Sequence, residues 1–147
     1  MFERRIRPCD NCPYRPIDLL LAQKFVQNGV KLNCFDIDLV IEIGKRIEAV
    51  AEIKHYQDAM WYDKFLMPAH EYVGLKKVAK SLRCDAYFVV FDGVEYYLAH
   101  VDRFEKRNSV QAGGKRMIPF PRNEFRRMTP EEFRQFWFDQ YGRRLVR

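Results

Sequence analysis

The apolar residues of this chain recur first at a helical spacing and then at a strand spacing. In residues 17–29 they fall three or four positions apart, and Asn28-Gly29 follows as a stop signal, which predicts a helix. Over residues 34–56 the period changes to two, and Gly44-Lys45-Arg46 separates two alternating segments. This change predicts a β-hairpin after the first helix.

Further elements follow in the same alternation of periods. The pattern predicts a loop over 57–67, a helix over 68–82, a second hairpin over 85–101, a polar loop over 104–116 and a capped helix over 129–142. The order helix, hairpin, helix, hairpin, helix is typical of an α+β sandwich with a mixed central sheet, an α/β/α arrangement.

The first hairpin has two different faces. Its apolar face carries Leu39, Ile41, Ile43, Ala49, Ala51 and Ile53. The opposite face carries acids together with Val40, Val50 and Lys54. If residues 44–46 form a three-residue loop, Ile43 faces Ile47 and Asp38 lies opposite Glu52.

Length and composition favour one globular domain. The chain has 147 residues, of which 48% are hydrophobic, and neither an export signal nor an apolar run of about 18 residues is found in it. We therefore expect one cytoplasmic domain over 1–147 that does not cross a membrane. Its core would cover about 17–100, with a basic extension over about 103–147.

The positive charge lies in the last third of the chain. Residues 103–147 hold 12 Lys or Arg against 5 Asp or Glu, a net charge of +7, whereas residues 1–102 hold 14 against 15. Such asymmetry favours a nucleic-acid partner bound through its phosphates, although a solvated face is the simpler alternative. The candidate contacts are Lys76, Lys115, Arg116, Arg122, Arg126, Arg127, Arg143 and Arg144.

The acidic face has the residue types of a metal-dependent hydrolase. Mg²⁺ prefers hard oxygen ligands and takes one or two carboxylates, which Asp38 and Glu52 would supply. Lys54 lies two residues from Glu52 and therefore on the same face of the strand, where its charge would contact a phosphate and an attacking water. A surface pair of Glu and Lys on a half-solvated sheet is the structural alternative.

The arrangement of an Asp, a hairpin, Glu-x-Lys, a helix and an apolar strand resembles the PD-(D/E)XK nuclease superfamily. The similarity covers roughly residues 17–100 and is greatest to its Holliday-junction-resolvase-like and small phage or bacterial members. It implies a restriction-endonuclease-like fold and hydrolysis of phosphodiester bonds, mainly in DNA, by an endonuclease or exonuclease that depends on Mg²⁺ or Mn²⁺.

The resemblance also assigns roles. Asp38, Glu52 and Lys54 would be catalytic, and Asp38, Glu52 and the carbonyl of Ile53 would bind the metal. Asp36 lies on the same face as Asp38 and stays an alternative ligand. A homodimer would fit an enzyme that cuts two strands, because that reaction takes two active sites.

Other readings of the sequence remain open. Cys9, Cys12, Cys34 and Cys84 would form a four-thiolate zinc site, an iron–sulfur site, a redox pair or reduced thiols. A non-catalytic nucleic-acid-binding protein on the same fold would keep the basic region without needing Asp38 or Lys54. A protein-interaction module would instead use the aromatic segment 133–141.

Overall fold

A computed structural model of the chain describes residues 37–142. Eight strands and two α-helices make up this part of the molecule. In chain order they are β1 (Leu39–Ile43), β2 (Arg46–His55), β3 (Lys64–Pro68), α1 (Ala69–Leu82), β4 (Asp85–Phe91), β5 (Tyr96–Val101), β6 (Val110–Ala112), β7 (Lys115–Pro121), β8 (Arg126–Met128) and α2 (Pro130–Tyr141). Short 3₁₀ turns lie at Ala59–Trp61 and Arg122–Glu124.

Five strands form a central sheet in the order β1-β2-β4-β5-β8. The β2–β4 pair is parallel and the other pairs are antiparallel, so the predicted mixed central sheet and the α+β class are confirmed. The strands β3, β7 and β6 form a second, antiparallel sheet.

Both faces of the central sheet are covered by apolar layers. On one face Val50 and Phe88 pack with α1 and the small sheet, through residues such as Leu75 and Phe65. The other face, which includes Ala49, Ala51 and Tyr87, packs against aromatic side chains of α2. The predicted acid-rich face is therefore buried on β2, at Glu48, Val50 and Glu52, and exposed on β1, at Val40 and Glu42, so the half-solvated alternative is right for β1 and wrong for β2.

The first hairpin differs from the prediction at its turn. The turn has two residues, Gly44 and Lys45, both at positive φ (55° and 70°), and Ile43 faces Arg46 rather than Ile47. Such left-handed pairs match the twist of a hairpin. A bulge between Ile41 and Glu42 then shifts the register by one residue.

The bulge restores the pairing expected farther along the hairpin. Ile41 faces Ala49 and Leu39 faces Ala51, so continuing the register by one residue places Asp38 opposite Glu52. The predicted loop was wrong, but its consequence for Asp38 was right because the bulge adds the residue that the turn lacks.

The small sheet was missed by the sequence analysis. β3 lies in the predicted loop over 57–67, and β6 lies in the predicted polar loop over 104–116. β7 carries Pro119 and Pro121, which disfavour a central strand. They are accommodated because β6 pairs only with Lys115–Met117, so neither proline has to donate to it.

Both described helices were predicted nearly to the residue. α1 begins at Ala69 with Pro68 as its N-cap, one residue after the predicted start, and Arg83 ends it in a left-handed conformation. α2 has the predicted capping box, in which Thr129 accepts from Glu132 N–H and the Glu132 side chain accepts from Thr129 N–H.

Two expectations extend beyond residues 37–142. The first helix, over 17–29, lies outside the described residues, and a single domain over 1–147 stays a prediction. No helix in the described part of the chain combines the length and the apolarity that crossing a membrane requires.

Candidate active site

The Glu52 and Lys54 side chains lie near the carboxyl end of β2, on the face that carries α1. Lys54 Nζ is 3.1 Å from Glu52 Oε1. It is also 2.6 Å from Glu71 Oε2, in the first turn of α1. The ammonium therefore bridges two carboxylates that come from different elements.

The parallel pairing of β2 with β4 explains why Glu71 reaches this site. The chain must cross over between two parallel strands, and α1 forms part of that crossover. Its first turn consequently lies near the carboxyl end of β2, the usual location of sites in such sheets. A helix N-terminus also favours a carboxylate.

The sequence analysis missed Glu71. Its signal was the helix start at Pro68, which puts Glu71 in the first turn, combined with the expectation that α1 connects two strands of the central sheet.

Asp38 precedes β1 and is held against β2. Its Oδ2 accepts a hydrogen bond from Ile53 N–H at 2.9 Å, which fixes the carboxylate beside Glu52. Ile53 thus contacts Asp38 through its amide, and ligation by its carbonyl stays a prediction. Asp36, the alternative ligand, lies outside the described residues.

Glu52 is a buried carboxyl, with 5% of its surface exposed. The pKa of Glu52 is raised to about 8, foremost by burial and then by the charges of Glu71 and Asp38, while Lys54 acts to lower it. Glu52 is therefore protonated at neutral pH, and a buried carboxyl with so high a pKa is a candidate functional residue.

The two carboxylates that Lys54 contacts stabilise the charged form of its ammonium group. Burial lowers the pKa of the Lys54 ammonium, but hydrogen bonds and charges from Glu71 and Glu52 outweigh burial, so its pKa is raised overall. Lys54 is therefore protonated at neutral pH. In this state it acts as a fixed positive charge and not as a base.

The carboxylate oxygens of Asp38 and Glu52 are of the chemical type that Mg²⁺ prefers. No three His, Cys, Asp or Glu side chains within residues 37–142 converge as a preformed metal site. Mg²⁺ nevertheless needs only one or two carboxylates, with water and substrate phosphate completing its shell. Glu52 and Glu71 share the single Lys54 ammonium, and Asp38 adds a further negative charge that acts on Glu52, so such an ion would be attracted to this region.

The predicted nucleic-acid contacts fall into separate groups. Arg122 donates to the carbonyl of Met60, and Arg127 forms a two-bond pair with Glu95 at 2.6 and 3.0 Å. These two side chains are used within the fold. Lys115, Arg116 and Arg126 are exposed, whereas Arg143 and Arg144 lie outside the described residues.

The exposed pair Lys115 and Arg116 lies at the end of the small sheet that adjoins α1. β7 pairs with β3 so that Met117 faces Pro68, the residue before α1. Lys115 and Arg116 precede Met117 and so continue past the start of α1, the helix end that carries Glu71. The sheet thus places the backbone of Lys115 and Arg116 beyond the start of α1, with the two side chains on opposite faces of β7.

Cys84 is the one predicted thiolate within the described residues. It is buried at 4% exposure, and burial foremost raises its pKa, which disfavours the thiolate that a metal needs. Cys9, Cys12 and Cys34 lie outside the described residues, so the zinc site stays a prediction.

Two cavities of the described region have linings that do not include Asp38, Glu52 or Glu71. One of about 250 Å³ is lined by Cys84, His100 and Phe104 among others. The second, of about 230 Å³, is lined by Tyr56, Trp61 and their neighbours.

A scan against protein-family models finds no match to this chain, and neither curated proteins nor solved structures show a significant similarity to it.

Proposed function

We propose that the protein is a metal-dependent nuclease of the PD-(D/E)XK type, with a restriction-endonuclease-like fold, that hydrolyses phosphodiester bonds in DNA. The observation that carries the proposal is the buried Glu52 carboxyl at the carboxyl end of β2, which shares the Lys54 ammonium with Glu71 and is influenced by the charge of Asp38. Burying polar and charged groups is costly, so a fold without a use for them would place apolar side chains there.

Asp38 and Glu52 are the residues that would hold Mg²⁺ or Mn²⁺. Asp38 is already oriented by Ile53 N–H, and Glu52 lies opposite it across β1 and β2. When bound, the ion supplies Lewis-acid polarisation of a phosphoryl oxygen and an activated water. Loss of the Glu52 proton accompanies ion binding, because a ligating carboxylate must be ionised.

Lys54 would stabilise the charge that develops on the phosphate. Its ammonium is positioned by Glu52 and Glu71, with 26% of the side chain exposed, so it is accessible from outside. A preorganised cation of this kind lowers the barrier because it need not reorient during the reaction. Glu71 acts here as a positioning residue for Lys54.

The exposed cations Lys115 and Arg116 support a polyanionic substrate. They follow the small sheet past the start of α1, toward the end of the helix that bears Glu71. Contacts of this kind bind the phosphate backbone and do not read base sequence.

The test is cleavage of supercoiled, linear, single-stranded and branched DNA in Mg²⁺ or Mn²⁺. We expect wild type to cut at least one substrate, and Asp38→Asn and Lys54→Met to abolish cutting. Lys77→Met and Glu42→Gln, which alter exposed residues outside the site, serve as matched controls and should cut normally.

Two results would contradict the proposal. If Lys54→Met still cuts DNA, Lys54 is not needed for the reaction and the catalytic residues lie elsewhere. If no substrate is cut while all variants bind DNA with the same salt-sensitive affinity, the protein is the non-catalytic nucleic-acid-binding alternative.

A further inference from the structure

Phe104 is an exposed aromatic residue on the loop between β5 and β6, with 71% of its surface accessible. The loop holds it in place, since Phe104 N–H donates to Asp102 Oδ1 at 2.9 Å and Glu105 N–H donates to the Asp102 carbonyl. An exposed ring alone needs no explanation. Its immediate neighbours, however, are cations.

Two positive side chains flank the ring. Arg103 Cζ is 5.1 Å from the ring centroid and Lys80 Nζ, from α1, is 5.9 Å from it. Arg103 is anchored by a hydrogen bond to the carbonyl of Cys84 at 2.7 Å. The ring therefore lies beside two cations, of which Arg103 is anchored, and most of its surface still faces solvent.

Two further lysines extend this positive surface. Lys76 Nζ bonds the Glu105 carbonyl at 2.5 Å, and burial first, then the charges of Lys80 and Lys106, lower the pKa of Lys76. The charges of Glu105 and Asp102 oppose this effect without cancelling it. We call Lys76, Lys80, Arg103, Phe104 and Lys106 the Phe104 cluster.

The positive charge of the neighbouring Arg107 is, by contrast, paired within the fold. Its guanidinium is 2.6 Å from Glu124 Oε2, and its Cζ lies 4.1 Å from the ring centroid of Phe120. Arg107 is therefore left out of the Phe104 cluster, because its charge is paired with Glu124.

We propose that the Phe104 cluster binds a single-stranded segment of nucleic acid, with an unpaired base stacked on Phe104 and the flanking phosphates on Lys80, Arg103 and Lys106. An aromatic platform beside cations is the combination that binds single strands without regard to sequence. A paired duplex offers phosphates but keeps its base faces covered. The identification of the polyanion as nucleic acid rests on the proposed function.

This surface would give the nuclease a preference for substrates with unpaired nucleotides. Only Lys76 of the cluster was among the predicted contacts. The others were missed because α1 and the β5–β6 loop lie far apart in sequence.

The experiment measures binding without cleavage. Fluorescein-labelled oligothymidylate and a duplex of equal length are titrated with the full chain in EDTA, and anisotropy is recorded. We expect Phe104→Ala to weaken single-strand affinity about 5- to 150-fold, the effect of losing one stacked base, and to change duplex affinity less than about 2-fold. Phe138→Ala, at a comparably exposed ring on α2, is the matched control and should leave both unchanged.

The charges are tested separately. Lys80→Gln combined with Lys106→Gln should reduce the slope of log affinity against log salt by about 1.4, at about 0.7 per phosphate contact. Thermal unfolding followed by circular dichroism verifies that each variant is folded.

Two outcomes would overturn the inference. If folded Phe104→Ala binds the single strand as tightly as wild type, no base stacks on Phe104. Displacement of the oligonucleotide by polyglutamate at equal charge concentration would assign the surface to an acidic protein. Because binding is measured without metal, these outcomes do not depend on whether DNA is cut.

Discussion

The buried Glu52 carboxyl predicts an unusual pH dependence of stability. An ordinary Glu ionises near pH 4.5, whereas burial foremost, with Glu71 and Asp38, raises the pKa of Glu52 in the folded protein to about 8. The folded state thus binds the proton more tightly than the unfolded state. The contribution of protonated Glu52 to the free energy of unfolding is fully present below about pH 4.5 and is lost as the pH rises through about 8.

The magnitude follows from the rise in the pKa of Glu52 from 4.5 to about 8. At about 1.4 kcal/mol per pKa unit, ionising Glu52 in the folded protein lowers the free energy of unfolding by at most about 5 kcal/mol. The partly exposed Lys54 brings water to the pair and screens the charge. We expect the ionised Glu52 to cost about 2 to 4 kcal/mol of folding free energy at about pH 9.

The perturbation is Glu52→Gln, which keeps the shape of the protonated side chain and cannot ionise. At about pH 5.5 its free energy of unfolding should lie within about 1 kcal/mol of wild type, and at about pH 9 it should exceed wild type by about 2 to 4 kcal/mol. Urea denaturation in EDTA measures both. Glu42→Gln on exposed β1 is the matched control and should follow wild type at all pH values.

A Glu52→Gln curve parallel to wild type from acid to alkaline pH would refute the reasoning. It would mean that Glu52 ionises normally and that the negative charge around Lys54 is already neutralised within the fold.

Three further predictions concern the site and the packing of the two helices. Lys54→Met removes the cation between Glu52 and Glu71, and it should lower the free energy of unfolding by about 1 to 3 kcal/mol near pH 8 and by less near pH 5, as measured by urea denaturation. An equal loss at the two pH values would contradict the idea that Lys54 stabilises ionised carboxylates. Tyr141→Phe deletes hydroxyl contacts to Asp85 and Tyr87, both 2.7 Å, and should lower unfolding free energy by about 1 to 3 kcal/mol, whereas the exposed Tyr62→Phe should not. Thr129→Ala removes the N-cap of α2 and should lower the free energy of unfolding by about 1 kcal/mol, seen as a lower unfolding midpoint in urea. An unchanged midpoint would mean that the Thr129 cap does not stabilise α2.

Periodicity predicted the central elements because their side-chain patterns were set by burial. Leu39 and Ala51 lie on the α2 side of the sheet and Glu52 on the other, as the alternation of the two strands required. The capping box of α2 was equally local, since it depends on residues three positions apart.

Features that depend on distant pairing were not predictable in this way. β7 contains two prolines and is a strand because β3 supplies its hydrogen-bonded partner, from a segment more than 40 residues earlier. Glu71 joined the site through the parallel β2–β4 connection, which no local pattern encodes. The register of Asp38 was obtained only because a bulge offset the wrong loop length.

The central claim is that Asp38 and Glu52 form a divalent-metal site in which Glu52 carries a proton until the ion binds. Counting the protons released on binding tests it most directly, by titration calorimetry with Mn²⁺ in buffers of different ionisation enthalpy. With a pKa of Glu52 of about 8, the account predicts release of about 0.9 proton per ion at about pH 7 and none from Glu52→Gln. Binding of Mn²⁺ to Glu52→Gln as tight as to wild type, or binding to wild type without proton release, would contradict it.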